Sequence, residues 1–156
     1  MLFDIKIHSK LLTMANRDII KILTDNNLKV TPQRTAVLEV LHTLNNHPSA
    51  DYIIDYLRLN FPHIPLSTVY KILEVFVEKG IVSKVKTEDG LMRYDCVKEK
   101  HHHLYCAESE RIEDYYDEEL DKLLENYLKK KTIPNFKIKD IKLQIVGNFT
   151  DKIKND

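Results

Sequence analysis

The chain has 156 residues with equal numbers of acidic and basic side chains, 43% hydrophobic and 31% charged. This describes a globular protein of one or two small domains and excludes a disordered chain or a general polycationic coat for nucleic acid. No apolar run approaches the roughly 20 residues of a membrane span. The start, Met1-Leu-Phe-Asp-Ile-Lys, lacks the pattern of a signal peptide, so a cytoplasmic location without a membrane partner is expected.

In chain order, residues 1–13 read as an N-terminal arm or an over-long start, with Asn16 as the first helix cap. From Arg17, Ile19, Ile20 and Leu23 have helical spacing, which stops near Asn26-Asn27. Thr31-Pro32-Gln33-Arg34 restarts a helix, with Thr31 as cap and proline in the first turn. Its apolar face is Ala36, Val37, Val40, Leu41 and Leu44, and Asn45-Asn46-His47-Pro48 breaks it. Ser49 caps a third helix carrying Ile53, Ile54, Leu57 and Leu59. A fourth opens at Leu66 or Ser67, runs through Lys79 and is closed by Gly80. Ile81–Val85 and Leu91–Asp95, separated by Glu88-Asp89-Gly90, read as a hairpin.

Helices followed by a hairpin give the order of a winged helix-turn-helix; a small helical domain with no DNA role would read similarly. The second half changes character. His101–Cys106 and Arg111–Tyr115 read as strands. Glu118–Lys131 reads as an amphipathic helix through Leu120, Leu123, Leu124, Tyr127 and Leu128. Phe136–Gly147 alternates in its second half, as a strand does. The fold class is therefore α+β: an N-terminal winged helix-turn-helix over 14–94, a hinge at 95–100, and a small α/β dimerisation and metal-binding domain at 101–156.

Charge is distributed unevenly. Residues 15–86 hold nine Lys/Arg against seven Asp/Glu, and residues 87–156 hold thirteen against sixteen. A locally basic surface can bind DNA in a neutral protein, because screening limits the interaction to charges near the phosphates.

The densest chemistry lies between Asp95 and Asp114. On a strand, His101 and His103 point to the same face. Two same-face imidazoles with carboxylates suit Fe(II), Mn(II) or Zn(II) better than Ca(II), which prefers oxygen shells. The plainer alternative is a solvated His-rich strand end that binds metal adventitiously. His102 points to the other face, where it is either hydrogen-bonded or part of an auxiliary site with Asp121. His8, His42 and His63 have no partner identifiable in the sequence and read as surface residues. Cys96 and Cys106 do not make a secreted disulfide framework. Cys106 reads as a buried small hydrophobe, and Cys96 as a packed residue or a redox-reactive one.

Taken together, Thr31-Pro32-Gln33-Arg34, His47-Pro48-Ser49-Ala50, Ser67-Thr68-Val69-Tyr70, Arg93-Tyr94-Asp95 and His101-x-His103-Leu-x-Cys106 resemble the ferric uptake regulator (Fur) family of metal-dependent repressors. The resemblance runs from about residue 16 to 148 and is closest to the peroxide-sensing PerR branch. It implies one regulatory divalent metal per subunit, Fe(II) or Mn(II), with Zn(II) an in vitro substitute. The implied ligands are His47, Asp95, His101, His103 and Asp114. Two acids are adjacent in Ile112-Glu113-Asp114; the spacing from His103 favours Asp114, and a shift of one residue would exchange them. By resemblance, aspartate here goes with peroxide sensing and glutamate with iron sensing, and His47 and His101 are the residues to be oxidised by peroxide at iron.

The resemblance also implies a homodimer binding double-stranded operator DNA with inverted-repeat half-sites. Ser67, Thr68, Tyr70 and Lys71 on the recognition helix, Arg34 near the second helix start, and Lys84 and Lys86 of the wing are the candidate DNA contacts. Many family members carry a structural zinc in two Cys-x-x-Cys pairs. Here Cys106-Ala-Glu-Ser109 keeps one cysteine and the second pair is absent, so no four-cysteine zinc is expected. The chain reads as a sensor and not an enzyme. The alternatives are an iron, zinc or manganese uptake regulator of the same fold, a non-haem metal enzyme, or a metal buffer.

Overall fold

The computed structural model describes residues 17–44, 47–87, 90–96 and 99–150. The arm at 1–13, the Asn16 cap, His8, the Asn45-Asn46 break and the Glu88-Asp89 turn lie outside them. The chain divides into two compact units, up to Lys98 and from Glu99.

In the first unit, helix α1 covers residues 17–25. It ends at Asn27, whose φ is +57°, with the Leu28 amide donating to the Leu23 carbonyl. Helix α2 is Pro32–Leu44. The Thr31 hydroxyl accepts from the Arg34 amide at 3.3 Å, as the cap pattern requires. Helix α3 is Ala50–Asn60, capped by Ser49, which accepts from the Tyr52 amide. Its buried stripe is Ile53, Ile54 and Leu57. Leu59, expected on that stripe, is 84% exposed, because a residue two positions from Leu57 lies on the opposite side of the helix.

Helix α4 is Leu66–Glu78 and buries Val69, Ile72, Leu73 and Phe76. Lys79 caps it, and Gly80 takes φ +67°. The Gly80 amide donates to the Val77 carbonyl and the Ile81 amide to the Phe76 carbonyl, which closes the helix and turns Ile81 into the core. Strands β1 (Ser83–Lys86) and β2 (Met92–Asp95) pair antiparallel, Ser83 opposite Asp95 and Lys84 opposite Tyr94. The first strand begins later than the expected Ile81, because Ile81 and Val82 are spent on the core beneath α4. An antiparallel bridge joins Ser49 to Arg93. Four helices packed on one core and followed by a hairpin are a winged helix-turn-helix.

In the second unit, β3 (His102–Cys106) pairs antiparallel with β4 (Arg111–Tyr115) and parallel with β5 (Gln144–Val146). The sheet order is β4-β3-β5. Tyr105, Cys106 and Ile112 are buried. The expected strand from His101 begins one residue later, and only Gln144–Val146 of the Phe136–Gly147 stretch is strand. Helix α5 is Glu118–Lys129, capped by Asp117 and ended at Lys130 rather than running to Lys131. Its expected apolar face is only partly covered: Leu120, Leu124 and Leu128 are half-buried, while Leu123 and Tyr127 are 64% and 57% exposed.

Candidate metal centre and DNA-facing surface

Three of the expected donors converge within the second unit. His101 directly precedes β3 and His103 lies within it, and their Nε2 atoms are 3.1 Å apart. His101 Nδ1 is 2.8 Å from the Glu99 carbonyl oxygen. A carbonyl can only accept, so His101 carries its proton on Nδ1, and its Nε2 presents a lone pair. A backbone carbonyl orienting an imidazole in this way is a recurrent support for metal-ligating histidine. His103 stands opposite Asp114 in the β3–β4 register. Asp114 Oδ1 is 3.5 Å from His101 Nε2 and 4.0 Å from His103 Nε2. Both imidazoles are buried.

This donor set fits a transition metal. Two nitrogens each bonded at about 2.1 Å and about 90° to a common ion stand about 3 Å apart, the spacing seen here. Imidazole with carboxylate suits Fe, Mn or Zn. The adjacent Glu113 is directed elsewhere, its Oε1 accepting from Arg111 Nε at 2.7 Å. Alternation along β4 thus puts Asp114 on the histidine side and Glu113 on the other.

Two further expected donors meet within the first unit. His47 and Asp95 are buried, with ligand atoms within 4.8 Å of one another. The Tyr94 amide donates to the Pro48 carbonyl at 3.0 Å, and Arg93 reaches the His47 carbonyl at 3.4 Å. These bonds and the Ser49–Arg93 bridge lay the segment after α2 along β2, which brings His47 to Asp95. His47 holds φ +53°, a left-handed conformation uncommon outside glycine that concentrates at functional positions. Ser83 Oγ donates to Asp95 Oδ2 at 3.2 Å, orienting the carboxylate from across the hairpin.

His102 is fully buried and hydrogen-bonded through Nδ1, which accepts from the Leu143 amide at 3.2 Å; its Nε2 lies 3.3 Å from Asp121 Oδ1 without hydrogen-bond geometry. Its neighbour Lys100 stands 2.9 Å from both Asp121 and Glu125, and these bonds push its pKa up to about 12. Sequence reasoning paired His102 with Asp121 but missed Lys100, because its carboxylate partners lie on α5, distant in the chain. His42 and His63 lie on the exposed surface.

Cys96 packs half-buried against the first core, and burial and the neighbouring Asp95 push its thiol up to about 12. A thiol raised in this way is a poor nucleophile at neutral pH, which favours the packed reading of Cys96 over the redox-reactive one. Cys106 is buried, and its pKa is lowered by hydrogen bonds from the Ser109 side chain and backbone.

On α4, Ser67, Tyr70 and Lys71 share an exposed face, with Thr68 half-buried beside it. The opposite face carries the core residues, so one helix both anchors the domain and presents these polar groups. Lys84 and Lys86 alternate outward on β1. Arg34 is half-buried, and its guanidinium donates to the Lys29 carbonyl at 3.0 Å. Among the described residues, no helix is long and apolar enough to cross a membrane.

The sequence profile of the ferric uptake regulator family matches residues 25–146. The chain is 36% identical to the peroxide-responsive repressor PerR of Staphylococcus saprophyticus over 106 residues, 68% of this chain and 72% of that one. It is 32% identical to the peroxide operon regulator of Bacillus subtilis over 131 residues, 84% of this chain and 88% of that one. Among solved structures, the Vibrio cholerae ferric uptake regulator superposes with a TM-score of 0.68 at 27% identity, covering 83% of this chain and 98% of that one. The Helicobacter pylori ferric uptake regulator, which has three functional metal-binding sites, gives 0.67 at 25%, covering 87% and 91%. The chain belongs to the ferric uptake regulator family, whose members are transcriptional regulators and not enzymes.

Proposed function

We propose that this chain is a metal-dependent repressor that senses hydrogen peroxide. The observation that carries the reading is the His101–His103 pair, one imidazole fixed by the Glu99 carbonyl so that Nε2 is a donor, with Asp114 beside it. The regulatory metal, Fe(II) or Mn(II), takes His101, His103 and Asp114 from one unit and His47 and Asp95 from the other. Support for the second pair is their burial and mutual proximity within the first unit. An ion with ligands on both units fixes the angle between them, and so selects a DNA-competent shape from a wider population. In a homodimer that angle sets the spacing of the two α4 helices, and two-fold symmetry calls for an inverted-repeat operator.

In this reading Ser67, Thr68, Tyr70 and Lys71 enter or border the major groove, and Arg34, Lys84 and Lys86 contact phosphates. Fe(II) held by these residues would catalyse oxygen transfer from hydrogen peroxide to a neighbouring imidazole, which supplies both electrons. The net change is one oxygen atom gained by the imidazole of His47 or His101 and one water released. An oxidised imidazole is a poorer donor, so metal leaves and DNA is released. The two cysteines of the chain cannot build a four-thiolate zinc site, so apolar packing and strand pairing hold the dimer.

The test is operator binding by anaerobic Fe(II)- and Mn(II)-loaded protein before and after a small dose of peroxide, with mass spectrometry of the His47 and His101 peptides. Loss of binding in the iron form alone, with one added oxygen on either histidine, supports the reading. Metal-dependent binding that ignores peroxide assigns the chain to metal uptake regulation, and binding that ignores metal sinks both.

A further inference from the structure

The cluster behind the metal donors has its own geometry. His102 lies between His101 and His103 and faces the other side of β3, where it is completely buried. Its Nδ1 accepts the Leu143 amide at 3.2 Å. The Leu143 carbonyl in turn accepts the His103 amide at 3.0 Å. Both backbone polar groups of Leu143 are therefore held by consecutive residues of the strand that carries the donors. This stretch leads directly into β5, which runs parallel beside β3.

An imidazole accepting at Nδ1 carries its proton on Nε2. His102 Nε2 accordingly carries the hydrogen; it lies 3.3 Å from Asp121 Oδ1 without hydrogen-bond geometry. The positive charge at this carboxylate comes from the chain itself: Lys100 Nζ is 2.9 Å from Asp121 Oδ1 and 2.9 Å from Glu125 Oε1. The cluster thus ties β3 to the segment before β5 on one side and to α5 on the other.

We propose that His102 is a positioning residue for the metal centre: through the Leu143 amide it fixes β3 so that the flanking imidazoles converge, and it binds no metal. The inference rests on the metal reading above. The 3.1 Å separation of the His101 and His103 nitrogens is sensitive to small displacements of the strand. Hydrogen-bonded supports of this kind typically change metal affinity by about 10–100-fold when removed.

The experiment uses the full chain with Co(II) as probe, following d–d absorption during titration, and compares wild type with His102→Asn and His102→Gln. Asparagine puts its amide oxygen near the Nδ1 position and can keep the Leu143 bond. Glutamine reaches toward Asp121 but lacks an acceptor at that position. Hydrogen exchange at the Leu143 amide reports the bond independently of metal. We expect one Co(II) bound through the histidine donors in all three proteins. The asparagine variant keeps the wild-type spectrum and slow Leu143 exchange. The glutamine variant shows an altered d–d envelope, affinity about 10–100-fold weaker and faster exchange.

Identical spectra and affinities in the three proteins overturn the proposal while leaving the metal reading intact. A second Co(II) in wild type that both variants lose makes His102 a ligand and also overturns it. Wild type that binds no Co(II) through His101 and His103 overturns the metal reading and this inference with it.

Discussion

His103 and Asp114 face one another across the β3–β4 ladder, and their neighbours on β4 obey the same alternation. Asp114 directs a carboxylate oxygen toward both His101 and His103, whereas Glu113 is held by Arg111. Adjacent acids of equal formal charge therefore make opposite predictions. Asp114→Ala should weaken Mn(II) binding at least about tenfold, by loss of a ligand whose effect exceeds the supporting contacts. Glu113→Ala should leave it unchanged, because only an ion pair on the far side of the strand is lost. Mn(II) titration of both variants by calorimetry checks this, and equal losses would remove Asp114 from the ligand set.

The residues proposed to face DNA separate by chemistry. Lys71 and Lys84 are exposed lysines on α4 and β1, suited to phosphate contact. Replacing either by alanine should weaken operator and non-operator DNA alike, and reduce the slope of log affinity against log salt by about 0.9 per lost phosphate contact. Tyr70, on the same exposed face but carrying a ring and one hydroxyl, should change discrimination between operator and non-operator DNA when replaced by alanine. Fluorescence anisotropy with both DNAs at several salt concentrations distinguishes these outcomes. A Tyr70 variant that loses both affinities equally would demote it to a backbone contact.

Much of this was legible before the fold was known, for identifiable reasons. The caps at Thr31 and Ser49 and the Gly80 stop depend on local hydrogen bonding, which short sequence patterns encode. The same-face pairing of His101 and His103 follows from strand alternation. Four features were not legible. Leu59 is apolar yet off the stripe, because two positions on a helix are just over half a turn. Placing Ile81 in a strand overlooked that the residue after a closing glycine is drawn back onto the helix it follows. The role of Lys100 needs the distance from β3 to α5, a tertiary quantity. On α5, periodicity located Leu123 and Tyr127 on an apolar face, yet both are exposed within the single chain.

Core substitutions give a contrast of a different kind. Phe76 is fully buried at the end of α4, and its carbonyl also closes the helix through Ile81. Phe76→Ala should cost about 3–5 kcal/mol through lost burial and the cavity left behind. Leu59→Ala, at an 84% exposed position, should stay within about 0.5 kcal/mol. Urea unfolding followed by a probe in the first unit gives both values. A large loss at Leu59 would mean that its side chain is covered in the folded protein.

A pair at the start of α5 sets a pH window. Asp117 caps the helix, accepting from the Leu120 amide at 2.9 Å and from the Tyr115 hydroxyl at 2.8 Å. The Leu120 bond first, and then the Tyr115 bond, lower the Asp117 pKa below its ordinary 3.8. The Asp117 bond raises the Tyr115 pKa above its ordinary 10.0. For a depressed carboxylate the stabilisation is fully present above the unfolded value and is lost as pH falls through the folded one. For a raised phenol it is present below the unfolded value and is lost as pH rises through the folded one. The tie should thus hold across the neutral range and fail at both extremes. Asp117→Asn keeps a cap but cannot titrate, so it should remove the acid limb. Tyr115→Phe should remove the alkaline limb and leave the acid one. Protection of the Leu120 amide against hydrogen exchange, corrected for the intrinsic rate at each pH, reads both limbs. An acid limb of unchanged size in Asp117→Asn would place its origin in another carboxylate.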